Sequence, residues 1–388
     1  MGVLRMVIPL LLFAGLSYYV WRRLVRDPGL RGAARIAATV AIAACIAPLV
    51  LVSIASAGKP PTIRGALAWP VYLGWALFAL TFMWVLIADV GRLLAWLGRK
   101  AARRPAPVDP GRRELLARFT GGAVATAAIG HVALGVRGGL RAPEVVEVPM
   151  QLARLPAAFD GFAIVQLTDV HIGGTIGREF IADMVARANA AGGDAIVLTG
   201  DLVDGSVDEL RDAAAPLADL RAPAGVFAVT GNHEYYSGAD AWIAHLRSLG
   251  ITVLRNERVE LRRGDAAIDM VGIDDHGAHH FGGDHGADLA RALAGRAPAR
   301  VAVLLAHQPR QVHVAAQHDV DLQLSGHTHG GQVWPWHYLV SVQQGGLLAG
   351  RYRVGPTELY VSRGAGHWGP PIRLGAPAEI SRVVLRVG

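Results

Sequence analysis

The 388-residue chain is 52% hydrophobic and its formal charge of +7 is unevenly placed: residues 1–140 hold 17 Lys/Arg against 4 Asp/Glu, a net +13, and the remainder holds 21 against 27, a net −6. A nucleic-acid footprint would be a basic face on the folded part; that part is mildly acidic, so nucleic acid is excluded as a partner. The one cysteine, Cys45, excludes an intrachain disulfide and leaves the compartment unassigned by cysteine usage.

Residues 1–137 read as an all-α transmembrane region of about four helices. Met6–Trp21, Ile36–Ala57 and Leu67–Val90 are apolar runs of spanning or near-spanning length without Lys or Arg. A fourth run, Phe119–Val136, is Gly/Ala-rich and weaker, with a buried or amphipathic helix as its alternative. Asp89 and His131 are candidate intramembrane polar groups, or residues packed against neighbouring helices.

Loop charge predicts orientation. Arg22, Arg23, Arg26, Arg31 and Arg35 lie between runs one and two. Arg92, Arg99, Lys100, Arg103, Arg104, Arg112, Arg113 and Arg118 lie between three and four, but only Lys59 and Arg64 between two and three. Positive charge stays cytoplasmic, which puts both termini and the following domain outside, on the periplasmic side of an inner membrane. Gly111-Arg112-Arg113-Glu114-Leu115-Leu116 is similar to a twin-arginine export signal, with plain cytoplasmic charge as the alternative. No small-residue cleavage site follows, so the anchor is expected to stay attached.

A linker is expected over 138–147 and a soluble domain over 148–388, although Glu144–Leu152 already alternates like a first strand. Strand-like apolar runs then alternate with helical ones. Arg178–Ala191 places Phe180, Ile181, Met184, Val185 and Ala188 on one face, and Asp240–Leu249 and Leu289–Leu293 are shorter versions. This alternation predicts α/β with a largely parallel core. Ile268–Ile273, Glu358–Ser362 and Ile380–Val387 come with little helix between them, which suits a second sheet.

Five apolar runs end in polar side chains. Phe162–Thr168 leads into Asp169-Val170-His171, and Ala195–Thr199 into Gly200-Asp201-Leu202-Val203-Asp204. Val226–Thr230 leads into Gly231-Asn232-His233-Glu234, Val301–Ala306 into His307, and Val320–Leu324 into Gly326-His327-Thr328-His329-Gly330-Gly331-Gln332. Ligands sit outside the carboxyl ends of strands in open α/β sheets, and Asp, Asn and His suit borderline divalent metals. Five such ends in one chain predict a metal centre.

These motifs, with Ser362-Arg363-Gly364 and Ala376-Pro377-Ala378-Glu379-Ile380, resemble the calcineurin-like metallophosphoesterase superfamily, in its bacterial membrane-anchored branch, over residues 145–388. The chain departs at Ala378, where Pro-Pro-Glu-Ile is the pattern. The resemblance implies an α/β/β/α sandwich of two mixed sheets and two divalent ions (Mn, Fe or Zn). Asp201 would bridge them, Asp169, His171 and His329 would complete one site, and Asn232, His307 and His327 the other. It makes His233 the group beside the leaving oxygen, with a hydrogen-bonding role as the alternative, and Asp204 the orienter of a ligand histidine. Two such ions neutralise a phosphate diester and align an acidified water for in-line attack, so hydrolysis by metal-bound hydroxide without a covalent enzyme intermediate is expected.

Weaker candidates for substrate contact are Arg178, Arg363 and, in the run His276, His279, His280, His285, chiefly His280; a solvated loop or surface ion pairs are the alternatives. Trp334, Trp336 and Trp368 are candidates to rest on a bilayer or an acyl chain, or to pack in the core. The expected function is a membrane-anchored phosphodiesterase or pyrophosphatase acting on an envelope or lipid-linked phosphate ester. The alternatives are a UDP-diacylglucosamine pyrophosphatase type of lipid A enzyme with a cytoplasmic domain, and a non-catalytic metal-dependent membrane sensor.

Overall fold

The computed structural model describes residues 2–55, 67–103 and 109–388. The chain divides into two compact units, Met1–Val136 and Arg137–Gly388.

The first unit is helical: α1 (Gly2–Trp21), α2 (Gly32–Ala55), α3 (Ala68–Ala101) and α4 (Pro110–Gly139), the last three residues of which belong to the second unit. By length and composition, Ala68–Ala101 and Gly111–Gly139 could each cross a membrane. Asp89 is an internal tie: it accepts from Tyr19 Oη (2.5 Å) and Arg23 Nε (2.8 Å), and Arg92 pairs with it at 2.6 Å. His131 is buried with its ring edge-on to Trp84. The end of the second apolar run (56–57), Lys59, Arg64 and Arg104 lie outside the described residues.

In the second unit the strands are β1 (Glu144–Leu152), β2 (Ala163–Leu167), β3 (Ala195–Thr199), β4 (Val226–Val229), β5 (Thr252–Val253) and β6 (Glu257–Arg263). They continue with β7 (Ala266–Gly272), β8 (Ala302–Leu305), β9 (Leu322–Ser325), β10 (Gly350–Val354), β11 (Thr357–Val361) and β12 (Glu379–Val387). They form two six-stranded mixed sheets, in the orders β1-β12-β2-β3-β4-β5 and β10-β11-β9-β8-β7-β6. β2, β3, β4 and β5 pair in parallel, as do β7, β8, β9 and β11; β12 against β2, β6 against β7 and β10 against β11 are antiparallel. The first strand pairs with β12 from Glu144 onward, so the stretch read as linker over 138–147 is taken up by helix to Gly139 and by strand from Glu144.

The strands are apolar on both faces because both faces are covered. Alternate residues Ile164, Val197 and Phe227 meet Met270, Val303, Leu305 and Leu322 between the sheets. The intervening Val165, Leu167, Ile196 and Leu198 pack outward on α5 (Arg178–Ala190), α6 (Val207–Ala214) and α8 (Ala239–Ser248), which follows α7 (Asn232–Ser237). Val271, Ala302 and Leu304 pack outward on α9 (Leu289–Leu293) and α10 (Val312–Ala315). The layering is α/β/β/α. β2, β3, β4, β8 and β9 run into the loops that carry the five polar motifs, at the carboxyl ends of neighbouring parallel strands.

Candidate metal centre

Those loops turn sharply. Asp169, His171, Asp201, His327 and His329 all have positive φ, between 51° and 72°. Non-glycine residues adopt this conformation at a cost of order 1–3 kcal/mol each, and it persists where surrounding structure enforces it. The enforcing contacts are visible. His327 N–H donates to both carboxylate oxygens of Asp169 at 2.9 Å, and Thr168 Oγ1 donates to Asp169 Oδ2 at 2.8 Å. His233 N–H donates to Asp201 Oδ1 at 2.8 Å. A side chain at Gly326 would collide with Asp169 and Thr168, and one at Gly231 with Asp201, so close packing on the ligand carboxylates demands glycine at both places.

Two clusters result, each with its ligand atoms within 4.8 Å of one another: Asp169, His171 and His329, and Asp201, His307 and His327. In the first, His171 Nε2 is 3.0 Å from His329 Nε2, which is 3.4 Å from Asp169 Oδ1. In the second, His307 Nε2 is 3.0 Å from Asp201 Oδ2 and 3.2 Å from His327 Nδ1. Outer hydrogen bonds set which ring nitrogen faces inward. His307 Nδ1 donates to Thr199 O (2.8 Å) and His171 Nδ1 to Asp204 Oδ1 (3.1 Å), which turns both Nε2 atoms to the clusters. The same Asp204 oxygen takes His233 Nδ1 at 2.5 Å. The third grouping, His171, Asp204 and His233, is therefore a hydrogen-bonded relay.

The donor set fits divalent ions. Asn232 Oδ1 is buried without a hydrogen-bond partner, a costly arrangement unless something accepts its lone pairs. Burial raises the carboxyl of Asp169, helped by the charge of Asp201. Burial opposes charge on Asp201 too, but His307 and His233 outweigh it and hold that carboxyl well below its ordinary range. Burial and the His307 charge push His327 down to about 3. His233 goes the other way: burial disfavours its charge, yet Asp201 and Asp204 raise it to about 9.

The profile of the calcineurin-like phosphoesterase family matches residues 162–331. A Bos taurus protein described as a transmembrane protein with metallophosphoesterase domain is 38% identical over 331 residues, 81% of this chain and 72% of its own length. The chain belongs to the calcineurin-like metallophosphoesterases. An uncharacterized metallophosphoesterase of Helicobacter pylori strain J99 is 37% identical over 274 residues, covering 70% of this chain and 72% of its own. A Danio rerio transmembrane protein with metallophosphoesterase domain is 37% identical over 253 residues, covering 63% and 57%. This metallophosphoesterase is a metal-dependent phosphoester hydrolase with His/Asp clusters suited to divalent metal, and its apolar helices and transmembrane-named relative indicate membrane association.

Of the weaker candidates, Arg178 and His280 lie outside the clusters, whereas the Arg363 side chain packs against Gly330 of the metal loop. Arg178 is exposed and donates to Asp212 O at 2.8 Å, tying α5 to α6. Arg363 is held by Glu379, Nε to Oε2 at 2.7 Å, with a second guanidinium contact. His280 is exposed, its ring 3.9 Å from that of His279, and belongs to none of the three clusters. His285 is packed rather than solvated, 2.8 Å from Arg255 and edge-on to Tyr235.

Two supporting residues were given no role in the sequence reading. Glu234 is buried and accepts from three backbone amides, Asp201 (2.9 Å), Leu202 (2.7 Å) and Gly231 (2.6 Å), bracing two metal-site loops together. Its place three residues after Gly231 at the start of α7 is the capping-box spacing, a signal open to a sequence reader. Arg373 is also buried. It donates to Gly366 O (2.7 Å), Arg363 O (2.8 Å) and Ala376 O (2.9 Å) and lies 3.2 Å from His329 Nδ1. Nothing in its sequence neighbourhood marks it.

Proposed function

We propose that the protein is a membrane-anchored dimetal phosphodiesterase or pyrophosphatase. The observation that carries the reading is the pair of Asp/His clusters, supported by the buried, orphaned oxygen of Asn232, the residue before His233. Asp169, His171 and His329 would hold one ion, Asn232, His307 and His327 the other, and Asp201 would serve both. Divalent ions there supply charge neutralisation of the phosphate and a water acidified toward neutral pH. The chain's own groups do the rest. Asp204 fixes the rings of His171 and His233 through their Nδ1 atoms, so His233 presents its other nitrogen to the substrate. From that atom it would deliver a proton to the leaving oxygen. Mn, Fe and Zn all suit this O/N donor set.

The anchor supports an envelope or lipid-linked phosphate ester as substrate. Loop charge supports a multi-pass inner-membrane protein with its catalytic unit outside, with the twin-arginine machinery as a candidate exporter. A reporter fused at the C-terminus tests that side; cytoplasmic activity of the reporter would favour the lipid A type of pyrophosphatase. For the chemistry, the purified full chain with Mn²⁺ should hydrolyse bis-(p-nitrophenyl) phosphate. Asp201→Asn should lose metal and activity, and His233→Ala activity alone. Wild type that binds metal but hydrolyses no phosphoester would leave the sensor reading instead.

A further inference from the structure

The stretch from Gly331 to Gly350 contains no Asp, Glu, Lys or Arg. It includes α11 (Trp336–Gln343), a helix with no buried residue. Trp336, Tyr338, Leu339 and Val342 are 38%, 63%, 62% and 82% exposed. Their spacing spreads them over one broad helix face. Trp334 and Trp368 are also exposed, and Trp368 is tied to the segment before α11, its N–H donating to Gln332 Oε1 at 2.9 Å. A water-facing surface this apolar and this free of charge marks an interaction site.

The position of the patch says what covers it. Its root is the metal loop His329–Gly331, and the Trp368 ring lies 6.1 Å from that of His233, so the patch borders the site. The chain enters the catalytic unit beside it. Gly138 and Gly139, the last residues of α4, seat so closely on the backbone of Pro371–Arg373 that a side chain at either would collide with it. That backbone continues to Leu374, whose carbonyl accepts from Trp334 N–H at 2.9 Å. Gly138–Gly139, with which the catalytic unit begins, and the root of α11 thus share one short strut.

We infer that α11, with Trp334 and Trp368, is a membrane seat: it lies in the headgroup region of the bilayer that holds the chain's own helices and sets the mouth of the metal site at the lipid surface. Trp and Tyr favour that depth. The segment itself carries no Asp, Glu, Lys or Arg, and Arg310 meets it only at the last carbonyl of α11, Gln343 O (3.1 Å), so contact rests on apolar burial and needs no anionic lipid. The inference rests on the proposed membrane anchoring and adds which face of the catalytic unit meets lipid.

The test uses the full chain in phosphatidylcholine nanodiscs, with Cys45→Ser and a single added cysteine labelled with an environment-sensitive fluorophore. Val342→Cys places the label on the seat and Asp208→Cys places it on α6. Nitroxide-bearing lipid should quench the label at 342 by about twofold or more and leave the label at 208 unchanged. Adding Leu339→Asp should abolish the quenching while hydrolysis of the soluble bis-(p-nitrophenyl) phosphate stays at the wild-type rate. If the label at 342 is as unquenched as that at 208 while soluble diester is hydrolysed, the seat is wrong and the enzymatic reading stands. Quenching at 342 without hydrolysis supports the seat and sinks the enzymatic reading alone. A chain that does not enter nanodiscs overturns the seat and the anchoring together.

Discussion

Replacing Asp204 with Asn tests how much of the site's activity depends on a residue that need not touch metal. One oxygen of Asp204 accepts from His171 Nδ1 at 3.1 Å and His233 Nδ1 at 2.5 Å. The carboxyl is held below its ordinary range: burial works against its charge, and the two imidazoles outweigh burial. Hydrogen bonds to a charged group are worth about 1.5–3 kcal/mol, and neutral ones about half that. The His171 side chain is 1% exposed but that of Asp204 is 27% exposed, so the lower end applies. The Asn oxygen still reaches both rings without the charge, so Asp204→Asn should forfeit about 0.75 kcal/mol per bond, or about 1.5 kcal/mol across the two. At 1.36 kcal/mol per decade that is about 10-fold in kcat/KM. Hydrolysis of bis-(p-nitrophenyl) phosphate, titrated with Mn²⁺, separates kcat at saturating metal from apparent metal affinity. Both should fall, because the two rings serve different tasks. A variant within about twofold of wild type on both counts would show that the relay does not matter.

Glu234→Gln turns an amide N–H toward three backbone donors, and should lower stability by about 1–3 kcal/mol and weaken metal binding, read by thermal unfolding and metal content. Gly326→Ala overpacks the Asp169 carboxylate and should cost about 1–3 kcal/mol, roughly 2–12 °C in Tm for a unit of this size. Removing metal with a chelator should lower Tm by about 5–11 °C for each site held at a hundred times its Kd; a Tm indifferent to chelation would argue against an organised site. Burial works against charge on Glu379, yet Tyr360 Oη and Arg363 hold its carboxyl below its ordinary range. A depressed folded pKa means its stabilisation is present above the unfolded value, about 4.3, and disappears as pH falls through the folded value. The acid limb of a Tm–pH curve should therefore be shallower in Glu379→Gln than in wild type.

The residues of the Asp/His clusters were legible in the chain because divalent-metal chemistry leaves few alternatives. Ions of this kind demand Asp, His and Asn, and a parallel sheet places them just past apolar strands; both patterns are local. The apolar runs that became β2 and β3 were legible for the same reason, though not which of their residues faces which layer. The capture of Arg363 by Glu379 was not, since an arginine in a Ser-Arg-Gly turn looks the same whether it meets phosphate or a carboxylate 16 residues away. Nor was Arg373, whose acceptors are backbone carbonyls and so leave no trace in residue type. The first strand ran into residues read as linker because its partner, β12, is the last strand of the chain.

The sequence by itself determined which side chains gather in the Asp/His clusters and that apolar helices precede them, since residue type and hydropathy period are properties of neighbouring positions. Only the tertiary structure decided which ring nitrogen each histidine turns inward, which carboxylate braces which loop, and where α11 is left bare. Those outcomes depend on contacts between segments far apart in the chain.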